Sequence, residues 1–324
     1  MKEMTLLLIV LTALSRGFLW AQERVDSSPH TVRFLTVEKD VKLEVLDWGG
    51  AGQSLVFLAG LGSTAHIYDS FAPQFTAHFH VLGITRRGWG ASSKPAPTVA
   101  NYAADRLGDD VLAVIDALKL DRPVLAGHSI AGEELSSIGS RYPEKVRGLI
   151  YLDAADGYGF YNRAQGDWML DMLDLQRRID ALQNGAVIDR KFGQDMLDSV
   201  TQLEKSTQKL NNRLALMPPA PSPPPPPIGL ATRFGEQKYT QIRVPILAIF
   251  ACPHNFDRVY PNEPAAKAAI VANDLASCSA QADAFGAAMP SAKVIRLPNA
   301  DHFVFYSNPA EVLREMTAFL AKLP

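Results

Sequence analysis

The sequence predicts an α/β fold, in which a mostly parallel β-sheet is flanked by helices. Continuous apolar runs at residues 54–58, 80–84 and 244–251 are typical of strands buried on both faces. Segments with helical spacing of their apolar residues, such as residues 102–120, separate these runs along the chain. Because parallel strands are joined by right-handed crossovers, we expect their carboxyl ends, and any ligand site, at one edge of the sheet.

The composition is that of a chain with a substantial core. Of the 324 residues, 47% are hydrophobic and 20% are charged, and the formal net charge is −2. This charge gives no basis for electrostatic attraction to nucleic acid, so we expect small molecules as partners and no nucleic acid. The sequence does not indicate an oligomeric state.

The first 21 residues have the pattern of a signal peptide. Their apolar run, residues 5–14, is too short to span a bilayer, and Ala21 places a small residue before a cleavage point. We therefore expect an exported protein, periplasmic or extracellular, without a stable membrane span in its mature form; an uncleaved anchor is the alternative. In an oxidising compartment, Cys252 and Cys278 either form one disulfide or remain two buried thiols.

The predicted core has two parts, residues 30–155 and 241–324. Two alternating segments open the first part and predict a hairpin at a sheet edge, at residues 31–38 and 41–48. Further strands are predicted at residues 54–58, 80–84, 123–126, 146–152, 244–251 and 293–297. Helices are predicted at residues 67–77, 102–120, 133–142 and 309–323.

Residues 156–240 interrupt this alternation and predict a helical insertion. Apolar spacing favours a helix near residues 168–182, and a polar helix is predicted at residues 191–216. Prolines concentrate in residues 217–230, which predicts a stiff, extended strap. Four aromatic residues of the insertion either line an acyl or aryl pocket or form the core of the insertion: Tyr158, Phe160, Tyr161 and Trp168.

The motif GHSIAG, at residues 127–132, lies between a buried strand and a helix-like stretch. A sharp turn from strand to helix directs Ser129 outward above the helix N-terminus, and small flanking residues permit the turn. An isolated serine at such a turn is usually a helix cap. With this order of strands and helices, however, the motif resembles the nucleophile turn of the α/β-hydrolase superfamily, with Ala131 in place of its second glycine.

The resemblance extends over residues 32–323 and implies both an architecture and an activity. It implies the α/β-hydrolase fold, with residues 156–240 as a helical cap over the active site. It also implies a serine hydrolase of the carboxylesterase type, with a Ser-His-Asp triad and a small-molecule ester as substrate. Epoxide hydrolases and dehalogenases of this fold carry an aspartate nucleophile, whereas this chain has Ser129 at that place.

The serine needs a base, because its hydroxyl is a poor nucleophile at neutral pH. His302 follows the last predicted strand, where the superfamily keeps its catalytic histidine, and we assign it this role. His254, in the loop after residues 244–251, is the rival. His128 is common beside the serine in this motif and is interpreted as structural.

Two aspartates are candidates for the acid that orients His302. Asp153 follows the strand after the nucleophile helix, and Asp257 lies slightly beyond the usual position after residues 244–251, which His254 or Asn255 occupies. We favour Asp153 narrowly. Two further aspartates are less favoured: Asp156 and Asp301.

Backbone amides are expected to hold the oxyanion of the reaction. In the superfamily a His-Gly motif after residues 54–58 supplies half of this site, and Ala59 replaces the histidine here. Because the donor is a backbone N–H, we nominate the amides of Leu61 and Ile130. No cofactor and no metal are expected, since the chain lacks a phosphate-binding glycine loop, paired-cysteine zinc spacing and a nucleotide fingerprint.

Other functions are compatible with the same residues. A cofactor-free lyase or a perhydrolase would keep the serine and the histidine, and turnover of a simple ester would discriminate against the lyase. A non-catalytic small-molecule binding protein would normally lack part of the triad, whereas serine, histidine and candidate acids are all present.

Overall fold

An eight-stranded sheet runs through the chain, which a computed structural model describes for residues 30–216 and 225–323. The strands are β1 (Thr31–Glu38), β2 (Val41–Gly49), β3 (Ser54–Leu58), β4 (His80–Thr85), β5 (Val124–His128), β6 (Gly148–Leu152), β7 (Ile246–Ala251) and β8 (Ala292–Leu297). Their order in the sheet is β1-β2-β4-β3-β5-β6-β7-β8. The β1–β2 and β2–β4 pairs are antiparallel and all the other pairs are parallel, which confirms the predicted fold class.

Helices connect the strands and cover both faces of the sheet. They are α1 (Val99–Tyr102), α2 (Ala104–Leu118), α3 (Ala131–Arg141), α4 (Trp168–Gln183), α5 (Arg190–Leu214), α6 (Pro227–Phe234), α7 (Pro264–Ala288), α8 (Val304–Ser307) and α9 (Pro309–Leu320). Short 3₁₀ turns occur at Ala65–Tyr68, Ala72–Phe75 and Pro143–Lys145.

Two apolar clusters, one on each face, hold the sheet. One packs α2, α3 and α7 against the strands through residues such as Val111, Leu135 and Phe285. The other packs the 3₁₀ turns at Ala65–Tyr68 and Ala72–Phe75 and the last two helices, through Phe71 and Phe319 among others. The strands β3, β5, β6 and β7 are buried along their whole length. Because they are parallel, the loops that follow their carboxyl ends lie at one edge of the sheet.

Several predicted elements require correction. The helix predicted at residues 67–77 is wrong: two 3₁₀ turns occupy this stretch, and Pro73 explains the break because proline is excluded from a helix interior. The long helix α7 was not predicted. Its apolar residues surround the whole helix instead of forming one stripe, so the periodic signal is weak.

The insertion contains the predicted helices. Residues 168–182 and 191–216 correspond to α4 and α5. The predicted strap is wrong at its carboxyl end, where Pro227 begins α6; a proline fits the first helical position because the N–H it lacks would have no intrahelical partner. The rest of the strap at residues 217–224, and the predicted signal peptide at residues 1–21, lie outside the described residues.

A disulfide between Cys252 and Cys278 joins the end of β7 to α7. Of the two alternatives for the cysteines, the bridge is therefore the one in the structure. Among residues 30–216 and 225–323, no helix is long and apolar enough to cross a membrane.

We expect the Cys252→Ser/Cys278→Ser double variant to lose about 3 kcal/mol of unfolding free energy, because the bridge closes a 26-residue separation. Thermal and denaturant unfolding would measure the loss. Wild-type protein in reductant should match the double variant, whose own midpoint should not respond to reductant. An unchanged midpoint in the double variant would contradict the bridge.

Candidate active site

The nucleophile candidate, Ser129, is the first residue beyond β5. Its backbone has a φ of +54°, a left-handed conformation that is uncommon for a residue with a side chain. The Ser129 N–H donates to the carbonyl of Leu152 at 3.3 Å, and α3 begins two residues later at Ala131. Strand, strained residue and helix therefore follow one another as the motif predicts.

Two glycines permit the close packing around this turn. A Cβ on Gly132 would lie 1.8 Å from the carbonyl oxygen of Ala154, a contact that no side chain can make. A Cβ on Gly60 would lie 3.1 Å from the Ser129 Cβ. The amino end of α3 is thus held against the loop after β6, and the loop after β3 is held against the serine.

The acid candidate Asp153 occupies the corresponding position beyond β6. His128 pairs with Leu152 in the parallel register, so Ser129 and Asp153 are the next residues on adjacent strands. Asp153 also has a left-handed backbone, with a φ of +49°, and its N–H donates to the carbonyl of Ile249 at 2.7 Å. Both side chains consequently leave the sheet at the same edge.

The loops after β7 and β8 run side by side and carry the two histidines. The Cys252 N–H donates to the carbonyl of Leu297 at 2.9 Å, and the Asn255 N–H donates to that of Ala300 at 2.9 Å. These bonds continue the parallel pairing of the strands past their ends. His254 and His302 therefore lie near each other, with ring centroids 6.3 Å apart.

A chain of hydrogen bonds joins Ser129, His302 and Asp153. The His302 Nε2 lies 2.8 Å from the Ser129 Oγ, and its Nδ1 lies 2.6 Å from the Asp153 Oδ2. Since a carboxylate only accepts, the Nδ1 donates to Asp153 and leaves the Nε2 free to accept the serine proton. This is the geometry required of a nucleophile, a base and its orienting acid.

His254 contacts Asp153 and not Ser129. Its Nε2 lies 2.9 Å from the same Asp153 Oδ2, and its Nδ1 lies 3.0 Å from the Oδ2 of Asp274 on α7. His254, the rival base of the sequence analysis, therefore lies in the site, but it is a partner of Asp153 and not of the serine. Asp274 was missed entirely, because nothing in the sequence of α7 connects it with the loop that carries His254.

The electrostatics of the site follow from these contacts. Burial alone would raise the pKa of Asp153, but the hydrogen bonds from His254 and His302 outweigh it and hold the pKa well below its ordinary value. Burial alone would lower the pKa of His254, but Asp153 and Asp274 raise it to about 10. Burial and the charge of His302 lower the pKa of His128 to about 3, so His128 stays neutral.

The other candidates lie elsewhere. Asp257 is exposed and forms an ion pair with Lys267. Asp156 is exposed and makes no hydrogen bond to His302 among the described residues. The Asp301 N–H donates to the Ser307 hydroxyl, and within the described residues its carboxylate forms no hydrogen bond or ion pair with His302. The structure brings only Asp153 of the four aspartates to this imidazole.

The nominated oxyanion donors border the serine. Ile130 follows it directly, and Leu61 follows the glycine that touches it. Neither of their N–H groups donates to another backbone group within residues 30–216 and 225–323. Their role as oxyanion donors stays a prediction.

A recess of about 240 Å³ lies beside the site, between the insertion and α7. Tyr158 and Trp168 line it. Burial raises the pKa of the Tyr158 phenol, and the Ser129 side chain is among the groups that oppose this rise. Phe160 instead packs on Phe285 in the core, and Tyr161 donates to Asp171. Tyr158 and Trp168 thus line this recess and Phe160 lies in the core, whereas Tyr161 is buried but also borders a separate recess of about 310 Å³.

Within residues 30–216 and 225–323, two groups of side chains have donor atoms close enough to hold a metal ion. In one, His30, His66 and Asp69 lie near the start of the described chain. In the other, Asp153, His254 and His302 already hydrogen-bond to one another through those atoms. We assign hydrogen bonding to the second group, and the expectation that no cofactor is required stays a prediction.

Comparisons with known proteins identify relatives of the chain. The sequence description of the alpha/beta hydrolase family matches residues 55–315. The 2-(acetamidomethylene)succinate hydrolase of Mesorhizobium japonicum is 26% identical over 32% of this chain and 36% of its own length. The 3-oxoadipate enol-lactonase 2 of Acinetobacter baylyi is 30% identical over 37% of this chain and 45% of its own length. The matches thus span less than half of these relatives.

Solved structures resemble the chain over most of its length. A membrane phospholipase A, described as a bacterial virulence factor, has a TM-score of 0.59 at 19% identity, covering 99% of this chain and 98% of its own. An E-2-(acetamidomethylene)succinate hydrolase has a TM-score of 0.56 at 18% identity, covering 90% and 99%. At these identities the likeness concerns the fold alone.

We expect Gly132→Ala to lower the free energy of unfolding by about 3 kcal/mol, because the added methyl group must displace the backbone at Ala154. Gly193→Ala is the matched control, since a Cβ there meets nothing within 4 Å. Alanine in that helix should stabilise the protein by up to about 1 kcal/mol. Denaturant unfolding of both variants measures the difference, and equal stabilities would show that α3 does not depend on the glycine.

Proposed function

The chain belongs to the alpha/beta hydrolase family, and from this premise we propose that it is a serine hydrolase that cleaves a small-molecule carboxylic ester. The observation that carries the proposal is the hydrogen-bonded chain from Ser129 through His302 to Asp153, with distances of 2.8 and 2.6 Å. Because the family includes other chemistries, the identity of the nucleophile decides which reaction is proposed. A serine hydroxyl at this place supports acyl transfer.

In the first step, the Ser129 oxygen attacks the ester carbonyl and His302 takes the hydroxyl proton at Nε2. Asp153 keeps the Nδ1 proton directed toward itself and stabilises the imidazolium that forms. The imidazolium then gives its proton to the leaving alkoxide, and the acyl group stays bonded to Ser129.

In the second step, water replaces the alcohol. His302 accepts a proton from the water as the water attacks the acyl carbonyl, and Ser129 regains its proton when it leaves. The tetrahedral oxyanion of each step is held by the Leu61 and Ile130 amides, and each such donor contributes about 3 kcal/mol in comparable sites.

The relatives agree with hydrolysis of a small molecule. One is named an enol-lactonase, and a lactone is a cyclic ester. Others are a fluoroacetate dehalogenase and an epoxide hydrolase, whose chemistry differs at the attacked atom. The ester is proposed on the basis of Ser129.

We also propose that residues 156–240 cap the site and that the protein is exported. The cap is supported by the recess, to which α4, α5 and α6 contribute Trp168, Arg213 and Arg233. Export is supported by the apolar run at residues 5–14 and by the Cys252–Cys278 disulfide, since disulfides persist in oxidising compartments.

A fluorophosphonate should add once to the wild-type protein, at Ser129, and p-nitrophenyl esters of short and long acids should be hydrolysed. Ser129→Ala should lose the adduct and about 10⁴-fold or more of kcat, because no other group replaces the nucleophile. Intact-mass analysis, peptide mapping and the ester assay measure these outcomes. Ser140→Ala, on the helix α3 that follows Ser129, is the control. A protein that neither reacts with the probe nor cleaves any ester would contradict a serine hydrolase.

Asp153→Asn should lower kcat by about 10³–10⁴-fold, since an amide cannot hold the His302 tautomer or stabilise its charge. Asp257→Asn should keep wild-type turnover, because Asp257 contacts Lys267 and not the histidine. Steady-state kinetics on one p-nitrophenyl ester compares the two variants. The opposite order of losses would move the acid to Asp257.

A further inference from the structure

The Asp153 carboxylate serves two imidazoles, and the proposed reaction uses only one of them. The Asp153 Oδ2 lies 2.6 Å from the His302 Nδ1 and 2.9 Å from the His254 Nε2. Its Oδ1 accepts from the Ala251 N–H at 2.9 Å. Both oxygens of the carboxylate are therefore fixed, and His254 supplies one of the three donors.

His254 is itself held so that it carries a charge. Its two ring nitrogens face carboxylate oxygens, of Asp153 and of Asp274, and a carboxylate can only accept. Both nitrogens therefore donate, and the ring is an imidazolium. The same Asp274 oxygen accepts the His254 backbone N–H at 2.7 Å, which fixes the loop as well as the ring. A pKa of about 10 for His254 agrees with this geometry.

The charged and titratable groups around the two histidines come from several elements. Those that face or act on His254 are Asp153, Asp274, His302 and Asp156. Those that face or act on His302 are Asp153, His254, His128 and Asp156. Since His128 stays neutral, His254 is the one permanent positive charge among these neighbours of His302.

We propose that His254, charged and held by Asp274, is a positioning residue that orients Asp153 toward His302 and keeps His302 unprotonated in more acidic solution. The inference rests on the proposed function. It has two physical parts, a hydrogen bond and a charge, which different substitutions separate.

The hydrogen bond acts on orientation. Without His254, one side of the Asp153 Oδ2 would lack a donor, and the carboxylate would be free to turn from the His302 Nδ1. The charge acts on protonation: a positive ring 6.3 Å from His302 disfavours a second positive charge there. The base thus stays available at a lower pH than it would beside Asp153 alone.

His254→Gln removes the charge and keeps an amide N–H where the Nε2 donates. The acidic limb of the kcat/KM profile should move to higher pH by about one unit, while kcat on the plateau stays within about threefold of the wild type. His254→Leu removes the hydrogen bond too, and its plateau kcat should fall about 10–100-fold, with KM changed much less. The matched control, His78→Gln at an exposed histidine, should reproduce the wild-type profile.

Asp274→Asn tests whether Asp274 keeps His254 positively charged. The midpoint of the acidic limb should move upward but by less than in His254→Gln, because the substitution also removes a negative charge. Asp283→Asn, at an exposed position on the same helix, is its control. A downward shift in Asp274→Asn would show that Asp274 acts on His302 directly, and would overturn its assigned role.

An NMR titration of histidine ring nitrogens makes the same comparison without turnover, so it still decides if no ester is cleaved. In the wild type, both His254 nitrogens should carry protons across neutral pH, and His302 should take its proton at lower pH than in His254→Gln. Circular dichroism establishes that each variant is folded. Superimposable titrations and pH profiles for His254→Gln and wild type would overturn the role of the charge, and an undiminished kcat in folded His254→Leu would overturn the orienting role.

Discussion

The register between β5 and β6 is the constraint on which the site depends. Because His128 lies opposite Leu152, the next residue on each strand is Ser129 on one and Asp153 on the other. Both are left-handed, and such a conformation costs about 1–3 kcal/mol at a residue with a side chain. Backbone hydrogen bonds to the adjacent strands hold the two residues in place. A slip of one residue would turn alternate side chains to the other face. The sheet thus brings the proposed nucleophile and acid together before any side chain contacts another.

Burial of the acid is the second constraint. Asp153 is only 7% exposed, and a buried carboxylate is costly unless donors satisfy it. The superfamily pattern places the acid after the strand that corresponds to β7, but that loop carries His254 here. Here the carboxylate that contacts His302 is that of Asp153 at the end of β6, and the loop after β7 contributes a donor to it. His302 thus keeps a carboxylate partner, and His254 helps to satisfy the buried charge of that carboxylate.

The sequence predicted where the strands lie along the chain and the residues whose chemistry depends on local pattern. Continuous apolar runs identified the core strands, and the turn between strand and helix identified Ser129. The acid was favoured only narrowly, because two strand ends were open to it and only the loop pairing decides which carboxylate meets His302. Asp274 was beyond reach, since its contact with His254 depends on how α7 packs, and α7 has no amphipathic stripe. The paired loops that bring His254 to His302 join residues about 45 positions apart, and local patterns do not encode such pairing.

The disulfide links these parts. Cys252 lies two residues before His254, and Cys278 lies one helical turn after Asp274, so the bridge joins the loop and the helix that carry the two residues. Forming an ion pair between a loop and a helix costs conformational entropy in both segments, and a partly exposed pair contributes little free energy to offset that cost. A covalent tie beside it removes much of that freedom from the chain before the pair forms. The bridge therefore favours the His254–Asp274 contact, through which we propose that Asp153 is oriented, and the persistence of that bridge is set by the redox state of the surroundings.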